Sequence, residues 1–227
     1  MTRVIIRPAQ RQAKRGNGVK PPRRAAGYVL AGGRSSRFGS DKALAELGGR
    51  PALARMLDAV SGSDARCTIV VGEREKYGHL GARCIPDRWP GEGPFGGIVT
   101  ALLQSSADKY GYHWNLIVSC DMPFITAEWL NHLVAHALRS SADVMVPKSA
   151  HGLEPLCACW RTAAVKKLRT LFDEGVRKVT DAMKQVHTEV LDESVWKRFD
   201  TKNRLFWNMN TPADYEEARR ILEMPQT

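Results

Sequence analysis

Short apolar runs alternating with amphipathic stretches set the strongest limit on what this chain can fold into. Gly27–Leu30, Cys67–Val71, Arg83–Pro86, Asn115–Ser119 and Asp143–Pro147 are brief, mostly apolar and largely closed by glycine, proline or a polar residue. Helical patterns, Ala52–Val60, Gly97–Ser105 and Ala127–Leu138, fall between several of them. Runs too short for buried helices, separated by helices, imply βαβ units and a sheet whose strands are mainly parallel and covered on both faces. The expected fold is therefore α/β, a mostly parallel sheet flanked by helices. Leu156–Trp160 continues the apolar runs, Arg161–Glu174 reads as a helix and Thr188–Leu191 as a strand. Near the end, Phe206-Trp207-Asn208 reads as a strand. Thr211-Pro212-Ala213-Asp214 opens a helix, with threonine at the cap, proline at the first helical position and an acid in the first turn.

Charge divides the chain. The 227 residues carry a formal +10, but residues 1–24 hold eight lysines and arginines and no acid. From residue 25 onward the balance is +2. A segment of arginine, lysine, proline and glycine with few large apolar groups cannot bury enough surface to offset its ordering entropy. The expected organisation is a basic disordered tail, 1–24, ahead of a domain over 25–227. A nearly neutral body argues against nucleic acid as a partner, and no apolar run reaches the roughly 20 residues that span a bilayer. Cys67, Cys84, Cys120, Cys157 and Cys159 are odd in number, sit in apolar runs and form no Cys-x-x-Cys. That pattern suits packed thiols in a reducing cytoplasm. By strand alternation Cys157 and Cys159 share a face.

In an open parallel sheet, ligands gather beyond the carboxyl ends of the strands. The polar clusters follow those ends: a glycine loop after Leu30, Asp87 after Ile85, Asp121 after Ser119, and Asn208 and Asn210 after Phe206. The loop, Leu30-Ala31-Gly32-Gly33-Arg34-Ser35-Ser36-Arg37-Phe38-Gly39-Ser40-Asp41-Lys42, is neither a Walker sequence nor the spaced-glycine dinucleotide fingerprint. Glycine lets backbone N–H groups approach a ligand, and successive exposed amides cradle anions. Arg34, Arg37 and Lys42 add charge-assisted bonds to phosphate oxygens. Read from its residues alone, the segment is either a polyphosphate cradle or a basic surface turn.

The other candidates carry similar alternatives. Asp121 offers a hard oxygen for a cation such as Mg²⁺, or caps a turn ahead of the Thr126 helix. Asp87 suits N–H donors on a ligand, or closes a turn. Asn208 and Asn210 offer amides to a ligand at the rim, or satisfy backbone at a strand end. His132 and His136 have zinc-pair spacing but lack the intervening glutamate, which leaves helix-surface histidines.

Four motifs in order, from about Gly27 to about residue 220, resemble the molybdenum cofactor guanylyltransferases. The glycine loop fits their Leu-Ala-Gly-Gly-x-Ser-x-Arg-x-Gly-x-Asp-Lys signature, and its Gly32-Gly33 pair favours guanylyl over cytidylyl transfer. Cys120-Asp121-Met122-Pro123, Gly152-Leu153-Glu154-Pro155-Leu156-Cys157-Ala158 and Asn208-Met209-Asn210-Thr211-Pro212 fit the other three. The resemblance implies a single Rossmann-like nucleotidyltransferase domain that moves GMP from GTP to molybdenum–molybdopterin and releases pyrophosphate. It implies that Leu30, Ala31, Gly32 and Gly33 hold GTP mainly through backbone. Arg37 and Lys42 would meet the phosphates, Asp87 the nucleotide, Asp121 both nucleotide and Mg²⁺, and Asn210 a metal-bound phosphate or the acceptor. Lys42, Asp121 and Arg37 would be the catalytic set. Molybdoenzymes or cofactor-delivery proteins are the implied protein partners. The relatives carry a nucleotide-binding asparagine after their second strand, where this chain has Gly72. The competing expectations are a nucleotidyltransferase for CTP or a sugar phosphate, and a non-catalytic nucleotide-binding protein.

Overall fold

The computed structural model describes residues 25–32, 41–66 and 68–224. The expected tail, Gly33, Arg34, Arg37 and Cys67 lie outside them. The strands are β1 (Ala25–Leu30), the two-residue pair β2 (Glu46–Leu47) and β3 (Arg50–Pro51), β4 (Thr68–Val71), β5 (Arg83–Ile85), β6 (Trp114–Ser119), β7 (Val144–Ser149), β8 (Gly152–Leu153), β9 (Cys157–Arg161) and β10 (Thr188–Leu191). The helices are α1 (Ala52–Ser61), α2 (Arg74–Tyr77), α3 (Pro94–Ser106), α4 (Ala127–Ala137), α5 (Val165–Asp173), α6 (Val179–Met183), α7 (Glu193–Trp196) and α8 (Pro212–Glu223).

The main sheet runs β5–β4–β1–β6–β9–β7–β10, with β8 beside β7. β1 lies parallel between β4 and β6, β4 parallel to β5, and β7 parallel to β10. β9 is antiparallel to both its neighbours, and β8 folds back on β7. The sheet is thus mostly parallel and helix-flanked, as the alternation implied. β1 therefore sits centrally, with its carboxyl end beside those of β4 and β6. Ala31 N–H donates to the Val71 carbonyl at 3.0 Å and Cys120 N–H to the Leu30 carbonyl at 3.1 Å, so the three strand ends open side by side.

Alternation sorts the side chains into two layers. Val29, Val70, Leu116 and Val118 pack with Leu53, Met56, Trp129 and Leu133 of α1 and α4. Tyr28, Ile69, Val71 and Ile117 pack with Phe95, Ile98, Leu102 and Phe172 of α3 and α5. Cys157 and Cys159 share the first layer while Ala158 and Trp160 enter the second, as the strand period requires. Burial pushes the Cys157 thiol up to about 12 and the Cys159 thiol well above its ordinary value, so neither is a thiolate at neutral pH.

Two expectations need correction. Phe206-Trp207-Asn208 is not a strand. The Asp200 carboxylate accepts from the Arg204 and Leu205 amides, and Trp207 N–H turns back to the Arg204 carbonyl at 3.0 Å. These bonds satisfy the backbone locally, leaving Phe206 to enter the core as an anchor. The stretch 161–174 is also not one continuous helix: Arg161 ends β9, Thr162–Ala164 form a tight turn, and α5 begins at Val165. α8 starts as expected, with Thr211 and Asp214 forming a complete capping box.

Candidate functional site

Lys42 and Asp121 meet at the carboxyl end of the sheet. Lys42 Nζ lies 2.5 Å from Asp121 Oδ2, with 22% of the lysine side chain and 9% of the aspartate side chain exposed. Asp121 follows β6, where Cys120 hangs from the Leu30 carbonyl; its own carbonyl accepts from Met209 N–H at 2.9 Å. That bond ties the Asn208–Asn210 segment to the end of β6. Among the described residues Asp121 Oδ1 is buried with no hydrogen-bond partner. A buried carboxylate oxygen left unpaired is costly and marks a place for a ligand. Among the described residues no group of three or more histidines, cysteines or carboxylates could cage a metal. One carboxylate, completed by phosphate oxygens and water, is the coordination that suits Mg²⁺, so Oδ1 fits that ion. Cys120 is no competing ligand: burial, then the neighbouring Asp121 charge, pushes its thiol up to about 12.

Leu30, Ala31 and Gly32 occupy the adjoining strand end. Gly32 has φ +132°, a conformation that side-chain-bearing residues rarely adopt, and no described residue lies within 4 Å of where a Cβ would point. Gly32 is exposed, whereas Ala31 is buried with its amide held by Val71. Asp87 follows β5 at the same edge of the sheet. With strands about 4.8 Å apart, it stands about 14 Å along the rim from Asp121, the separation of a base from its phosphates. Its Oδ1 accepts from Trp89 N–H at 3.1 Å and Thr100 Oγ1 at 3.0 Å. The turn expected of Asp87 is therefore present, and both described bonds fall on one oxygen.

Asn210 lies on the opposite flank of Asp121. Its amide donates to Asp214 Oδ2 at 2.9 Å as part of the α8 cap. It lines a cleft of about 640 Å³ with Ser149, His151, Trp196, Trp207 and Asn208. Behind that wall Ser149 Oγ donates to Glu154 Oε1 at 2.6 Å. Burial raises the Glu154 pKa, a shift this bond opposes. The cleft, built by residues from β7, α7 and the 206–210 segment, was invisible as a unit in the sequence. So were Asp41 and Tyr77, described below; only the position of Asp41 immediately before Lys42 was a signal.

Arg37 and Gly33 fall outside the described residues. His132 and His136 lie away from the rim on α4, Nε2 to Nε2 at 3.2 Å, with Arg198 Nη2 3.2 Å from His132 Nδ1. An arginine must donate, so His132 Nδ1 accepts and its proton sits on Nε2, facing His136. Burial, followed by the charges of His136, Arg198 and Arg139, lowers the His132 pKa below 6.5. The folded state then binds fewer protons than the unfolded one, so this histidine's contribution weakens stability as pH falls through about 6.5. His132→Gln is expected to flatten the Tm–pH profile between about pH 7.5 and 5.5; an unchanged slope refutes the pairing.

Residues 27–188 match the MobA-like NTP transferase domain. The chain belongs to that family. This member of the MobA-like family is 32% identical over 203 residues to a probable molybdenum cofactor guanylyltransferase of Pelotomaculum thermopropionicum, covering 89% of this chain and 96% of that protein. A second, from Chloroflexus aggregans, is 30% identical over 202 residues, 86% and 94% of the two chains. The crystal structure of molybdopterin-guanine dinucleotide biosynthesis protein A from Archaeoglobus fulgidus superimposes with a TM-score of 0.74 at 26% identity, over 86% of this chain and 97% of that one. As a MobA-like enzyme, the protein is a nucleotidyltransferase.

Proposed function

We propose that this nucleotidyltransferase moves GMP from GTP to the terminal phosphate of molybdenum–molybdopterin, giving the guanine dinucleotide form of the cofactor and pyrophosphate. The observation that carries the reading is the Lys42–Asp121 pair beside the end of β1, with Asp121 Oδ1 unpartnered among the described residues. The relatives' names supply base and acceptor. The working unit is 25–227, with 1–24 as an appended basic tail. The four described free cysteines, Cys84, Cys120, Cys157 and Cys159, suit a cytoplasmic setting.

The amides of Gly32 and Gly33 line the triphosphate, Leu30 and Ala31 hold the nucleoside side, and Asp87 offers Oδ2 to the N–H edge of guanine. Lys42 and Arg37 take the β- and γ-phosphates. The 640 Å³ cleft, with Asn210 at its mouth, receives the acceptor. An oxygen of the acceptor phosphate attacks the α-phosphorus in line. The new P–O bond forms as the bond to the bridging oxygen breaks, and that electron pair leaves with pyrophosphate. The acceptor is already an anion, so no protein nucleophile is required; the chain positions the reactants and neutralises charge. Asp121 would hold Mg²⁺, which when bound would supply charge neutralisation at phosphate oxygens.

Two measurements test this. With Mg²⁺ and nucleotide at about 100 times Kd, binding contributes about 2.7 kcal/mol, or about 5–10 °C of Tm for a chain of this size. GTP is expected to give that shift, and ATP, CTP and UTP less. Pyrophosphate release with molybdenum–molybdopterin is expected from GTP; turnover with CTP alone overturns the assignment.

A further inference from the structure

Gly72 follows β4 where the resemblance led us to expect an asparagine. A Cβ built there would lie 2.4 Å from the Ala31 carbonyl oxygen and 2.8 Å from Cε2 of Tyr77. Both contacts are far inside van der Waals range, so the position admits no side chain while that ring is present. The Tyr77 ring, 1% exposed at the end of α2, fills the space instead. Its hydroxyl donates to Asp41 Oδ2 at 2.8 Å. The other carboxylate oxygen of Asp41 accepts from Ala43 N–H at 3.0 Å, and the Asp41 carbonyl accepts from Leu44 N–H at 3.0 Å. Lys42 is thus the middle residue of a turn whose first residue is pinned to the sheet by a buried phenol. Burial, with the bond to Asp41 next, raises the Tyr77 pKa, so this hydroxyl stays a donor.

We infer that Tyr77 is a positioning residue for Lys42: packed over Gly72, it fixes the Asp41 turn so that the Lys42 ammonium is aimed at Asp121 and at the phosphates. Tyr77 touches no reacting atom; it acts through Asp41. The assignment of Lys42 to phosphate rests on the function proposed above, whereas the brace itself does not.

The test uses the full chain with Tyr77→Phe, which keeps the ring and deletes the hydroxyl, and Asp41→Asn alone and combined with it. Hydrogen–deuterium exchange of the 41–47 peptide is expected to accelerate about tenfold in Tyr77→Phe, with β6 peptides unchanged and Tm within a few degrees. Pyrophosphate release is expected to show kcat down about tenfold with the KM for GTP changed less than about threefold. In the Asp41→Asn background, Tyr77→Phe is expected to add less than about twofold. Unchanged exchange over 41–47 overturns the brace whatever the substrate proves to be. Faster exchange with wild-type kcat overturns its role in positioning. Faster exchange in a protein that turns over no nucleoside triphosphate upholds the brace and overturns the guanylyl-transfer reading instead.

Discussion

Asp121→Asn is expected to lower turnover by about 10³-fold while the protein stays folded. The substitution keeps shape and volume, so neither core layer is disturbed. It removes the carboxylate that follows β6 and pairs with the Lys42 ammonium, and with it the charge that the proposed Mg²⁺ would need. A loss of 10³ corresponds to about 4 kcal/mol of transition-state stabilisation, within the several kcal/mol a metal contributes as a Lewis acid on phosphoryl oxygens. The folded state loses less. Oδ1 has no hydrogen-bond partner among the described residues, so the unliganded protein already bears the cost of an unsatisfied anionic oxygen, and a neutral amide lightens it. Tm is therefore expected within a few degrees of wild type, and the Mg²⁺-dependent part of the GTP-induced shift is expected to vanish. Pyrophosphate release and thermal melts with and without Mg²⁺ check both halves. Turnover within tenfold of wild type would rule out the metal role.

The fold was largely legible because a parallel sheet writes itself locally. Each of Gly27–Leu30, Arg83–Pro86 and Asn115–Ser119 came within about two residues of the observed strand; the first and last are buried on both faces and so are mainly apolar, while the edge strand is marked by the proline that ends its run. The rim was legible for the same reason: a ligand site at strand ends follows from where the apolar runs stop, which is why Lys42 and Asp121, 79 positions apart in sequence, could be placed together and are found in contact. What failed depended on side chains acting on distant backbone. Phe206-Trp207-Asn208 has the composition of a strand, but Asp200, six residues upstream of Phe206, captures the amides that would otherwise start a ladder. Gly72 was a puzzle in the sequence, a missing side chain with no stated reason. The reason is the close approach of the Ala31 carbonyl and of the Tyr77 ring, five residues on and turned back by α2. The cleft beside Asn210 joins segments of 149–151, 193–197 and 203–214, and no local pattern signals that they converge.

Lys42→Met is expected to cost kcat/KM about 10²-fold or more, with kcat carrying most of the loss. An ammonium on the β- and γ-phosphates meets more charge as the bond to the α-phosphorus breaks than before, so its attraction grows toward the transition state and appears in kcat. Unlike Asp121→Asn, this substitution is also expected to destabilise the unliganded protein. Asp121 is 6% exposed, and without Lys42 both of its oxygens are unpaired among the described residues. Breaking a fully buried pair costs about 3–5 kcal/mol; the lysine side chain here is 22% exposed, so about 2–3 kcal/mol is expected, or about 5–10 °C in Tm. Two consequences separate this cause from mere loss of packing. Mg²⁺ alone is expected to raise the Tm of Lys42→Met more than that of wild type, because the cation now meets an uncompensated carboxylate. The Lys42→Met/Asp121→Asn double variant is expected to recover at least half of the lost Tm, because neutralising the stranded charge removes the reason for the instability. A double variant less stable than Lys42→Met would show that the ion pair is incidental to this end of the sheet, and the shared charge at the rim would fall with it.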